Sequence, residues 1–180
     1  MPSPEGGTTM FPADMGIISK VCEDALAEVG LIVTPSGVST AGQVKLVDSD
    51  GEQPYGVAIE DTIDERYWAS EGAIGSSTGE TDKRVSIQRH GRVKVRLADD
   101  NSAIVEGDPI YAVVDGNSNE GRADIFSGYK TGTYADGTDL LAARKQLLGW
   151  ACEAADANAG ATAATYYLEV ELDLHGFGVV

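Results

Sequence analysis

The chain has 180 residues, enough for one domain with a full hydrophobic core, and 29 Asp plus Glu against 13 Lys plus Arg give it a formal net charge of −16. That balance argues against binding nucleic acid or an anionic membrane surface, because both need a positive field over the contacting face, and it points to protein as the partner. With 42% hydrophobic residues and 22 glycines clustered between short apolar runs, the composition predicts a mainly β fold, a compact β-barrel-like or sandwich domain with an N-terminal arm and at most one or two short helices.

Residues 1–16 mix Pro, Gly, Ser and Thr with isolated Met10, Phe11 and Met15, a composition that cannot form a core alone but can lie along another surface. No basic region followed by an apolar core opens the chain and no apolar run reaches membrane-crossing length, so a soluble protein without a secretion signal is expected. GIISKVCEDALAEVG then spaces Ile17, Ile18, Val21, Ala25, Leu26 and Val29 as a helix would, and a helix is expected over about 15–29, although IISKV alone also reads as a strand. Residues 1–30 are therefore taken as an arm with a possible short helix, and 31–180 as the β domain. Two or three strands fit LIVTPSG and GQVKLVDSDGEQPYGVAIEDT, with DSDG as an Asp-Gly hairpin turn. Long loops are expected at 63–82, where Tyr67 and Trp68 are the large anchors, and at 117–139.

Between those loops, Val85 and Ile87 alternate with Ser86 and Gln88, and Val93, Val95 and Leu97 alternate with Arg92, Lys94 and Arg96. GDPIYAVV follows as a strand opened by a turn, since Pro suits a strand's first position, so that residues 90–116 read as a core hairpin. LGWACEA should be extended, after one or two helical turns from Leu140. TYYLEVELDL closes the strand set, with Leu168, Val170 and Leu172 on one face and Tyr167, Glu169 and Glu171 on the other. A weak echo links residues 42–62 to GDPIYAVVDGN and LLGWACEAAD.

Chemistry is hard to place on this chain. His90 and His175 are the only histidines, no nucleophile motif accompanies them, and neither a phosphate-binding Gly loop nor a complete calcium loop is present around Asp48, Asp50 and Glu52. No catalytic residue, metal or cofactor is expected. Cys22 and Cys152 lack the spacing of a zinc site and read as two buried free thiols, with a disulfide left open. What stands out is 83–96, which holds Lys83, Arg84, Arg89, Arg92, Lys94 and Arg96, six of the thirteen cations, and no acid. It reads either as a solvated strand face paired with acids on neighbouring strands or as a docking face for an acidic partner.

GQVKLVDSDGE, PYGVAIEDT, RHGRVKVRLADDNSAIVEGDPIYAVVDG, LLGWACEAAD and YYLEVEL, taken in that order, resemble the small capsid decoration, or cement, proteins of tailed phages and related archaeal viruses. The resemblance spans about Ser39 to Asp173 and is carried most by Gly107-Asp108-Pro109-Ile110-Tyr111 and by Leu148-Gly149-Trp150-Ala151 followed by Glu153-Ala154-Ala155. It implies a non-enzymatic β-barrel-like domain that forms a homotrimer on the outer surface of an icosahedral shell and binds the major capsid protein. Scattered acids would suit a saline source, where salt screens their repulsion. Interface candidates are then Met10, Phe11, Arg89, Arg92, Lys94, Arg96 and Phe177, with Val179 and Val180 beside the last. The alternative is a receptor- or glycan-binding spike or tail module using Tyr67, Trp68, Tyr129 and Tyr134.

Overall fold

The computed structural model describes residues 16–23, 26, 28–36, 43–49, 51–59, 84–114, 119–125, 145–162 and 167–174. Met10, Phe11, Met15, Tyr67, Trp68, Tyr129, Tyr134, the stretch from Leu140 to 144, Phe177, Val179 and Val180 lie outside them.

The described residues form a mainly β structure in two layers. A closed barrel of order β1-β3-β2-β4-β5 is built from β1 (Ile17–Cys22), β2 (Ile32–Pro35), β3 (Gln43–Leu46), β4 (Gly56–Ile59) and β5 (Arg84–Gln88). A five-stranded sheet of order β6-β10-β9-β7-β8 is built from β6 (Gly91–Arg96), β7 (Pro109–Ala112), β8 (Ala123–Asp124), β9 (Leu147–Ala151) and β10 (Tyr167–Leu172). A parallel bridge from Leu97 to Ala123 ties the two ends of that sheet together.

The barrel interior holds Cys22, Leu26, Leu31, Val33, Val44, Ala58, Val85 and Ile87. Ile32 and Val57 alternate with these and face outward, yet they are buried too, because they enter the core of the second sheet with Val93, Val95, Ile110, Leu148, Leu168 and Val170. Strands β2 and β4 are thus covered on both sides, which is why LIV and GVAI are continuous apolar runs without alternation.

Four expectations need correction. The segment read as a helix is strand β1, which pairs antiparallel with β5 from Ile17↔Gln88 to Val21↔Arg84 and parallel with β3, so residues 17–22 are barrel wall and not arm. The DSDG segment does turn, with Glu52 accepting from the amides of Asp48 and Ser49 and Gly51 at φ +80°, but it makes no hairpin: β2 lies between β3 and β4. Residues 90–116 are not a hairpin either, since β10 and β9 separate β6 from β7. The span 117–139, expected as loop, contains β8, which pairs with β7 through Tyr111↔Asp124. By contrast, β7 opens on Pro109 as anticipated. In the turn before it the Asp108 amide donates to the Val105 carbonyl, Asp108 Oδ2 accepts from the Val105 amide at 2.9 Å, and Gly107 takes φ +90°.

Candidate protein-interaction face

The outer face of the second sheet collects the cations that the alternation of β6 singled out. Register sets Lys94 opposite Glu169 and Arg92 opposite Glu171 on β10, and Glu171 in turn opposite Trp150 on β9, which stands opposite Pro109 on β7. One row across four strands therefore reads Arg92, Glu171, Trp150, Pro109. Arg92 Nε contacts Glu171 Oε2 at 3.2 Å with both side chains more than half exposed, a solvated pair of small energetic worth. Nearby Cys152, then Glu171 and Glu169, hold the Arg92 guanidinium above its ordinary value. Cys152 is a free, partly exposed thiol on this side of the molecule, whereas Cys22 is the buried one, so only the latter matches expectation.

Arg96 shares the parity of Arg92 and Lys94 but not their exposure: it is 5% exposed. The segment around Glu28 and the turns at Asp99 and Gly160 cover the end of the strand. Arg96 donates to Glu28 Oε2 at 2.9 Å, to Asp99 Oδ1 at 2.9 Å and to the carbonyls of Leu97 and Gly160. Arg122 completes a four-membered ring by reaching Glu28 Oε1 at 2.8 Å and Asp99 Oδ1 at 2.7 Å. Burial pulls the Asp99 carboxyl upward, but bonds from Arg122 and Arg96 outweigh it and leave the group below its usual range. This ring joins the barrel, through Glu28, to the second sheet, with the Arg96 side chain buried and engaged within the chain.

Arg89 also leaves the β6 face. It sits in the two-residue link between the layers, its guanidinium 4.2 Å from the Tyr55 ring centroid and its Nε donating to the Tyr55 carbonyl. Lys20 approaches the same ring at 5.8 Å. The structure therefore brings Arg92 and Lys94 together and separates them from Arg89 and Arg96.

Two surface residues escaped the reading of the sequence as contact candidates. Trp150 is 43% exposed with its indole Nε1 donating to Asp173 Oδ2 at 3.3 Å, and Val105 at the tip of the turn before β7 is 60% exposed. No local signal marked Trp150: it shares parity with Leu148, which is buried, and the two part company only because the pairing of β9 with β7 shifts register between Ile110 and Tyr111.

The arrangement defines a class: an all-β, two-layer domain that presents a charged sheet face around the exposed aromatic Trp150. Its fold has counterparts. A chain in the solved capsid of Myoviridae phage XM1 superposes with a TM-score of 0.54 at 20% identity, covering 87% of this chain and 82% of that one. The N base of head fiber gp8.5 of bacteriophage phi29 aligns over 87% of this chain and 92% of its own, at 13% identity and a TM-score of 0.47. No family model matches the sequence, and no curated protein matches it.

Proposed function

We propose that this chain is a structural decoration (cement) protein that binds the outer surface of an icosahedral viral shell as a trimer, contacts the major capsid protein and stabilises the particle without catalysis. The observation that carries the reading is the fold shared with a chain of a phage capsid, and the segments that resemble the decoration proteins supply β3, β4, β6, β7, β9 and β10. Within that fold the β6-β10-β9 face is the docking surface. Trp150, flanked by Pro109 and by the Arg92–Glu171 pair, has the composition of an interface hot spot, where a large aromatic supplies most of the energy and a charged surround supplies specificity.

The test combines mass and occupancy. Light scattering should give about three times 18.8 kDa, and shells stripped of this protein should regain it on mixing and resist heat or chelation better afterwards. Trp150→Ala should lower occupancy at a fixed concentration by roughly 30-fold or more in affinity with the unfolding midpoint little changed. Full binding by Trp150→Ala would remove this face from the interface, and failure of the wild type to bind shells would overturn the function.

A further inference from the structure

Among the described residues no strand pairs with Gly91–Arg96 on the side away from β10, and that edge of β6 borders a groove of about 360 Å³ between the two layers, lined by Val29, Ile59, Gln88, Lys94 and Tyr167 among others. Hydrogen bonds fix which backbone groups face it. Cys152 N donates to the Glu169 carbonyl and Asp173 N to the Leu148 carbonyl, so the odd-numbered groups of β10 turn toward β9 and its even-numbered groups toward β6. The register then sends the backbone groups of Val93 and Val95 to β10 and those of Arg92, Lys94 and Arg96 the other way. The ends of that edge are occupied: the Arg92 carbonyl accepts from Gln88 Nε2 at 2.8 Å, and the Arg96 amide donates to the Gly30 carbonyl at 2.9 Å. Between them, the N–H and C=O of Lys94 make no hydrogen bond among the described residues and point into an apolar-lined slot.

We propose that this slot docks an extended segment of a partner protein, which pairs with the edge of β6 at Lys94, seats one apolar side chain among Val29, Ile59 and Tyr167, and carries acidic residues to either side. Three features select that occupant. A lone pair of backbone groups at a strand edge is satisfied by another strand. The volume suits one or two side chains and not a helix 10–12 Å across. The charged residues that line the groove, Arg92 and Lys94, are both cationic; their acidic neighbours Glu171, which contacts Arg92, and Glu169 stand on β10 and do not line it. The inference does not depend on where in a virion, or whether in one, the chain resides.

The probe is the capped pentapeptide Ac-Glu-Val-Ile-Val-Glu-NH2, titrated into ¹⁵N-labelled full-length protein. Saturable shifts are expected at the amides of Gly30, Ile59, Gln88 and Lys94, with a Kd below about 1 mM, and the same peptide with Lys in place of Glu should bind at least about threefold more weakly. Lys94→Pro removes the donor at a position where an edge strand tolerates proline, and should weaken binding about tenfold or more, while Lys94→Arg should not. Should Lys94→Pro fail to fold, the peptide N-methylated at its central residue serves the same purpose against the wild type and should not bind. No shifts at about 2 mM peptide, shifts confined to other amides, or equal binding by the N-methylated peptide would each overturn the proposal.

Discussion

Asp124 carries a carboxylate into the interior on a strand two residues long. It is 1% exposed, and it accepts hydrogen bonds from the amides of Ser102, through both oxygens, and Ile125. Burial raises its pKa to about 6 in spite of those bonds, and Asp100 adds to the rise. The folded state therefore holds this proton more tightly than the unfolded state does. Stability from this group is complete below the unfolded value near 3.8 and declines as pH climbs toward and through about 6, by about 3 kcal/mol in all. Asp124→Asn keeps an oxygen for both amides and should remove that slope, so that urea midpoints of variant and wild type diverge as pH rises from about 4 to about 6, in the variant's favour, and stay apart above that. Two arginines on one strand make a sharper contrast. Arg96→Ala should cost about 3 kcal/mol, because it leaves Glu28, Asp99 and two carbonyls without their shared donor, whereas Arg92→Ala, at an exposed pair, should leave the midpoint almost unchanged. Chemical denaturation of both reads the difference directly.

At the scale of elements, alternation in the sequence located β5, β6 and β10 and assigned their buried faces correctly: Val85, Ile87, Val93, Val95, Leu168, Val170 and Leu172 are all core. It failed where the deciding interactions are distant in sequence. IISKVC fits a helical and an extended period equally, and what makes it a strand is pairing with β5, more than sixty residues away. Parity placed Arg96 beside Arg92 and Lys94, but no local pattern reports that the segment at Glu28 covers the end of that face. Glycine was similarly opaque. A Cβ at Gly149 would run into the backbone carbonyl of Glu171 on β10, which cannot move without breaking the sheet, so Gly149→Ala should cost at least about 2 kcal/mol. Gly107 faces open space and its Ala variant bears only the penalty of positive φ, about 1 kcal/mol. The pair of midpoints, measured side by side, separates steric from conformational cost.

Over the whole molecule, 16 net negative charges oppose compaction while the strongest ion pairs are shielded from solvent. Added salt screens the surface repulsion and leaves the Arg96–Glu28–Arg122–Asp99 ring largely untouched. The unfolding midpoint should therefore rise between about 0.05 and 1 M KCl, and a fall would mean that exposed ion pairs dominate. The candidate contact face was half legible: Arg92 and Lys94 were named from the sequence, but Trp150 became a surface residue only once β9 was seen to lie in a sheet with one face open. The strand order carries one more consequence. Among the described strands β6 pairs with β10 alone, whose residues lie some 75 positions later, while β1 to β5 close on one another beforehand. On a ribosome the barrel can mature while Val93 and Val95 still wait for a partner, and the chain passes through a half-built state that exposes an apolar strand edge. Such long-range closure makes for slow acquisition of structure and an interval of vulnerability to aggregation that ends only when Tyr167–Leu172 emerges.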